Sequence, residues 1–232
     1  MNQLISELRG YATYLGPELS PTAAEIQILT ALPSSHSAAL HQLNGFAFYA
    51  GAFRIFGLGS DNLLNLTSWN ESSTWRFAWD ERVDPYFVFG ETAWGDQYAY
   101  KSVDGRLGSE VYFLESNLLR PTLIADTFDQ FLEEQVMSNA VQPHDTFLSE
   151  TVERFGAIDL ERHWALAPSL IIGGPEDLDN VIELPARTAM IFAGDIALGL
   201  SKWPEGDSVP HVVPWRDVEG RDRLSLKFET LR

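Results

Sequence analysis

Two carboxylates in this chain stand close enough in sequence to do acid and base work together. Glu91 and Asp96 flank Trp94 in the segment Gly-Glu-Thr-Ala-Trp-Gly-Asp, Gly90 to Asp96. Two acids facing each other beside an aromatic floor are what glycoside cleavage requires, one to protonate the leaving group and one to activate water or attack. The simpler reading of the same residues is structural: Asp96 caps the turn, Trp94 fills core and Glu91 is solvated. In a chain with 33 acidic residues such neighbours arise often, so the simpler reading is preferred. Lys101 is the one lysine near these acids, and its spacing fits no nuclease centre.

Other chemistries lack their residues. The five histidines, at 36, 41, 144, 163 and 211, form no His-x-x-x-His pair of the kind that holds zinc on a helix face. His163 beside Trp164 reads as a partly buried side chain with a local hydrogen-bond partner. There is no Gly-x-Ser-x-Gly elbow, no phosphate-binding lysine loop and no Gly-x-Gly-x-x-Gly fingerprint. Gly173-Gly174 is followed by Glu176, Asp177 and Asp179, which would repel a phosphate. Trp69, Trp75 and Trp79 suggest a stacking platform, but indoles more often supply buried area with one donor to satisfy. No cofactor is expected, and binding is favoured over turnover.

The elements that would position these residues follow from periodicity. Tyr86 to Phe89 reads as a strand buried on both faces and Gln97 to Lys101 as a half-buried one, with Tyr98 and Tyr100 on one side. Asp104-Gly105 supplies a hairpin turn, and Val111 to Leu114 returns. Upstream, helices are expected over Asn2 to Leu15, then after Ser20-Pro21 with Glu25 in the first turns, then after Ser34 or Ser35 up to an Asn44-Gly45 stop. Phe46 to Gly59 reads as two short strands or one bulged strand, and Asp61 to Leu66 as a brief helix. Downstream, Thr127 and Gln130 cap a helix carrying Phe128, Phe131, Leu132 and Val136. Val141 to Asp145 is the best boundary, separating residues 1–140 from an extension over 141–232 that packs on the first part as one compact unit. In that extension, Phe147 to Ile158 reads as a helix, Thr188 to Ser201 as paired strands or one helix, Pro204 to Asp207 as a turn, and Arg223 to Leu231 as an amphipathic strand. The fold class is α+β, a mainly antiparallel twisted sheet with helices packed against it and a C-terminal α/β extension.

Composition sets the partners. The chain has 232 residues, no cysteine and 16 basic residues, for a formal charge of −17. Such a field repels nucleic acid and anionic membrane surfaces and steers basic partners inward. Without cysteine there is no disulfide framework. Met1 to Gly16 does not read as a secretory signal, and no apolar run is long enough to span a bilayer, so a cytoplasmic location is expected.

The order of strand, Gly-x-x-x-Trp-Gly-Asp, strand, Asp-Gly turn and Val-Tyr-Phe strand over Tyr86 to Glu115 resembles the centre of the SUKH superfamily, which includes bacterial toxin-immunity proteins and fungal glucan-synthesis regulators. Ala31 to Phe46 is similar to that family's Leu-Pro, short helix, Asn-Gly opening. Trp69, Asn70 and Trp75 resemble its tryptophan-rich link, and Ile124 to Val136 its closing helix. The likeness covers about residues 1–140. Within the extension, Leu170 to Val181 resembles a segment of a domain found in some type VI secretion immunity proteins. These resemblances imply an immunity protein that neutralises a cognate toxin, many such toxins being nucleases, by covering its active site. Asp80, Glu81, Asp84, Glu91 and Asp96 are the expected contacts, with Trp94 and Tyr98 shaping a groove. The alternatives are a regulatory scaffold of the fungal type and a module that binds or hydrolyses carbohydrate. A C-terminal extension lying over the groove would remove these residues from the surface.

Overall fold

The computed structural model describes residues 2–203 and 208–230. A seven-stranded antiparallel sheet runs in simple sequence order: β1 (Ala12–Leu15), β2 (Phe46–Phe48), β3 (Phe53–Ile55), β4 (Tyr86–Thr92), β5 (Gln97–Val103), β6 (Arg106–Leu114) and β7 (Pro121–Ala125). The hairpin between β5 and β6 turns on Asp104 and Gly105, both at positive φ, with Val103 paired to Arg106. This is the two-residue turn that matches strand twist.

Helices cover one face. α1 (Asn2–Tyr11) is shorter than its periodicity predicts, because Ala12 to Leu15 leave it to pair with β2. Pairing with a sheet edge outweighs local helix preference in a stretch that includes Thr13 and Tyr14, both good strand residues. α2 (Ala23–Ala31) starts two residues later than Ser20-Pro21 suggests, on a capping box between Thr22 and Glu25. Glu25 also accepts from Gly59 N at 2.7 Å, so it ties the helix to a loop. α3 (Ser34–Leu40) ends on a right-handed cap at His41, so Asn44-Gly45 does not stop it as expected; Gly45, at φ +78°, instead turns the chain into β2. The brief helix expected over Asp61 to Leu66 forms instead as α4 (Leu66–Trp69), because Asn65 and not Asp61 supplies the cap, accepting from Ser68 N. After β7, Thr127 caps α5 (Phe128–Gln130), which continues through a π-helical Phe131–Val136 into α6 (Met137–Val141). Phe128, Phe131, Leu132 and Val136 are all buried, as their spacing requires.

The C-terminal part covers the other face. α7 (Thr146–Phe155) is capped by Asp145. β8 (Arg162–Leu166) and β9 (Val181–Pro185) form one hairpin, and β10 (Ser208–Arg216) and β11 (Asp222–Thr230) a second. Between them α8 (Ala186–Leu200) resolves the Thr188 to Ser201 ambiguity in favour of one helix. The turn expected at Pro204 to Asp207 lies outside the described residues.

These elements are tied to the sheet by buried bonds. Trp164 N donates to Ala93 O at 2.8 Å, Ile158 N to Ala50 O at 3.0 Å, and Trp79 Nε1 to Met190 O at 2.9 Å. Gly194 permits the closest approach: a Cβ there would lie 2.4 Å from Ala78 O. Arg223 on β11 pairs with the buried Asp195 on α8, which also accepts from Leu224 N at 2.8 Å.

Candidate functional site

The polar centre of the molecule is a row across three strands. Arg54 on β3 sits opposite Glu91 on β4, and Glu91 opposite Gln97 on β5. A bulge between Val88 and Gly90 makes this row possible. Strict alternation would place Phe89 and Glu91 on one face, whereas the extra residue reverses the parity between them. Phe89 therefore stacks on Tyr100 under the helices, with ring centroids 4.5 Å apart, while Glu91 turns toward the C-terminal part.

Arg54 is completely buried and uses all five of its donors. Nη1 donates to Glu91 Oε1 and to Leu160 O, both at 3.0 Å. Nη2 donates to Asp159 O at 3.2 Å and Arg162 O at 2.7 Å, and Nε to Gly51 O at 2.9 Å. One guanidinium thus fixes the approach to β8. Burial lowers its proton affinity, and the Glu91 charge opposes that effect.

Glu91 is 2% exposed. Burial alone would raise its pKa, but His163 and Arg54 outweigh burial and hold the carboxyl below the ordinary range. His163 Nε2 lies 3.1 Å from Glu91 Oε2, although neither ring nitrogen meets hydrogen-bond geometry with any group. Gln97 completes the row, donating to Gly95 O at 2.7 Å and accepting from Trp69 Nε1 at 2.7 Å. Gly95, at φ +83°, lets the turn close over His163, since a Cβ there would stand 3.1 Å from both His163 Nδ1 and Met190 Sδ.

Beyond this row the two parts of the chain enclose a cavity of about 560 Å³. Trp94 from the β4–β5 turn and His163 and Trp164 from β8 form its inner wall, with Met190 and Ile196 of α8. Trp94 stacks on Phe147 of α7, with centroids 5.4 Å apart. The indole nitrogens of Trp94 and Trp164 have no hydrogen-bond partner among the described residues. At the mouth stand the exposed apolar side chains Leu170, Ile182 and Val212 and the acids Asp145 and Glu176. Asp96 lies on the same cavity. Its carboxylate accepts from Ser116 N and Thr92 Oγ1, both at 2.8 Å, and burial raises its pKa more than those bonds lower it.

The residues expected to contact a partner do not form one acidic rim. Asp80, Glu81 and Asp84 are exposed together on the turns before β4. Glu91, expected either as a contact or as a solvated side chain, is an internal ion-pair partner, because the bulge points it at Arg54 under the C-terminal part. Tyr98 is buried against Phe131 and Phe113, and burial raises its hydroxyl pKa. With Trp94 and Asp96 it lines a second hollow of about 270 Å³, beside Phe113, Ile124 and His144. Trp94 and Asp96 do meet in the cavity, while Asp96 also ties the turn as a cap. Trp75 and Trp79 are fully buried and Trp69 half-buried, each with its indole donor satisfied by the protein, which fits core and not a platform. His163 differs from its reading: it is wholly buried and lacks the local hydrogen bond. Arg54 went unnoticed. Its signal is that it is the only charged residue between Phe46 and Gly59, an otherwise apolar and glycine-rich run.

Among the described residues, no group of three or more His, Asp or Glu side chains is placed to hold a metal ion, and no helix is long and apolar enough to cross a membrane. No protein-family model matches the chain, and no curated protein matches it significantly. Among solved structures it is similar to the crystal structure of Atu4351 from Agrobacterium tumefaciens, at 12% identity and a TM-score of 0.57, covering 96% of each chain. At that identity the likeness concerns the fold alone.

Proposed function

We propose that this chain is an immunity protein that binds a basic toxin domain, with a nuclease as the favoured class, and neutralises it by covering its active site. The observation that carries the reading is where the charge of −17 is displayed. Asp145, Glu150, Glu153, Glu176, Asp177 and Asp179 gather on α7 and the loop before β9, all exposed. Arg154, a cation among them on α7, is taken by Asp179 at 2.5 Å. A toxin built to grip phosphate carries the complementary charge, and such complementarity speeds encounter and fixes register. The SUKH resemblance of residues 1–140 supports the same role, and so does the likeness of Leu170 to Val181 to a type VI immunity segment. The acidic cluster on α7 displaces Asp80, Glu81 and Asp84 as the leading contact surface.

In this reading the chain acts in the cytoplasm, by binding and without turnover. Affinity capture from its native cells at low and high salt, followed by co-expression with the captured domain, tests it. A basic toxin domain held in stoichiometric amount, released by salt and rendered harmless by the chain, is the expected result. Capture of no such domain when toxins are expressed, or capture without protection, refutes the reading.

A further inference from the structure

The cavity beneath the acidic cluster has no role in the fold. Its inner wall is apolar and aromatic, and Leu170 and Ile182 expose 37% and 40% of their surface at its mouth. Native interiors rarely leave a void of about 560 Å³ unfilled, whereas recognition pockets of this size are common. Buried donors without partners are also uncommon, and here two indole N–H groups in one wall share that condition. The charge around the mouth narrows what enters. Glu150, Glu176 and Asp177 border an adjoining hollow that meets the cavity at Phe147 and Glu176. An anionic occupant would be repelled, and a neutral one would gain nothing from the rim.

We propose that this cavity receives an aromatic or aliphatic anchor side chain carried on a basic segment of a partner protein, the anchor filling the pocket while flanking lysines and arginines meet the acidic rim. Buried aromatic anchors surrounded by a polar fringe are how protein interfaces concentrate their binding energy. A backbone carbonyl entering with the anchor supplies the acceptor that Trp94 or Trp164 lacks, after a small rotation of the ring. The proposal rests on the immunity reading only in taking that partner to be the toxin.

The test uses a short fluorescent peptide with a central tryptophan flanked by lysine and arginine, beside one with serine in place of tryptophan and one with acidic flanks. The basic tryptophan peptide should bind saturably and the two controls should not. Ala193→Trp, which fills the cavity from α8, should weaken binding about 30-fold or more. The pair Glu150→Lys and Glu176→Lys should weaken it about tenfold at low salt and less at high salt. If Ala193→Trp does not fold, Leu170→Ser and Ile182→Ser at the mouth decide the same question. Equal binding of the tryptophan and serine peptides, wild-type binding by a folded cavity variant, or no saturable binding overturns the proposal, as does binding of a neutral apolar dye with indifference to the peptide. Cavity variants that lose the peptide but still neutralise the toxin overturn the cavity's role and leave immunity standing. Cavity-dependent peptide binding by a chain that protects against no captured toxin overturns immunity and leaves the cavity as a site for basic segments.

Discussion

His36 and His163 are both sealed from solvent, on opposite faces of the same sheet, and their surroundings differ in kind. His36 lies in an apolar nest of aromatic rings and aliphatic side chains. It stacks on Phe128 with centroids 4.1 Å apart, meets Phe89 edge-on and shares a hydrogen bond of 3.0 Å with the Tyr100 hydroxyl. With no carboxylate beside it, burial pushes its pKa down to about 3. His163 instead stands between the Glu91 carboxylate and a cavity. One face of the sheet is closed mainly by apolar packing, the other by charge and backbone bonding, and the cavity of about 560 Å³ lies on the charged side. A core that must remain neutral can be packed to completion. A junction organised by a guanidinium takes its shape from fixed bond directions, and the space beside it need not fill.

The largest test of that contrast removes the organiser. Breaking a buried ion pair from one side costs about 3–5 kcal/mol because the remaining charge stays uncompensated. Glu91→Gln should fall in that range in urea unfolding, with the Arg54 charge left behind. Arg54→Met should cost more, since it also takes the guanidinium donor from Gly51 O, Leu160 O and Arg162 O. For the same reason, replacing both residues by apolar ones should not restore stability. Full recovery in the double variant would reduce the clamp to an ordinary ion pair.

The neutral side should reveal itself through pH. The folded pKa of His36, about 3, lies below the unfolded value of 6.5, so the unfolded chain binds the proton first. The contribution of His36 is complete above pH 6.5 and is lost as pH falls toward 3, at about 1.4 kcal/mol per pH unit. Glu91, also depressed, adds its own loss only below its ordinary value of 4.5. Unfolding measured from pH 7 to pH 5 therefore avoids the Glu91 loss, while Asp96 acts there in the opposite sense. The double variant His36→Phe, Tyr100→Phe, which leaves no hydroxyl stranded, should flatten that slope. An unchanged slope would assign it to another group.

Asp96 carries the opposite sign. Its folded pKa is raised by burial, so its ionisation costs stability as pH climbs through 3.8 and beyond. Asp96→Asn keeps an oxygen for Ser116 N and can donate to Thr92 Oγ1. It should match or slightly exceed the parent at pH 7, by less than about 1 kcal/mol, and fall below it in acid. A clear loss at pH 7 would show that the turn needs the charge.

The contrast between faces was only half legible in the sequence. The helix side announced itself through periodicity: Phe128, Phe131, Leu132 and Val136 at helical spacing could be read directly, although the expected stop at Asn44-Gly45 gave way to one at His41. The charged side depended on one inserted residue in β4, and nothing in Tyr86 to Gly90 distinguishes a bulged strand from a straight one. That bulge took Glu91 from an expected surface to the interior. Arg54 donates to carbonyls more than a hundred positions away in sequence, a separation that local pattern does not encode. Tyr98 followed the alternation rule correctly, but which face would be roofed by helices was not contained in it.

The smallest expected change in stability belongs to the acidic rim, and it separates the rim's two possible roles. Glu176 is exposed and has no ion-pair partner among the described residues, so Glu176→Lys removes like-charge repulsion with Asp177 and breaks no ion pair there. Surface substitutions of this kind stay within about 0.5 kcal/mol, and relief of repulsion places this one on the stabilising side. Were the rim part of the junction's architecture, reversal of its charge would propagate to Arg54 and lower the unfolding midpoint as the Glu91 variant does. Were it a surface kept acidic for a basic partner, the midpoint should hold or rise while association slows, most at low salt where screening is weakest. Measuring unfolding and association on the same variant decides between a charge that holds the fold together and one retained at a slight cost to it.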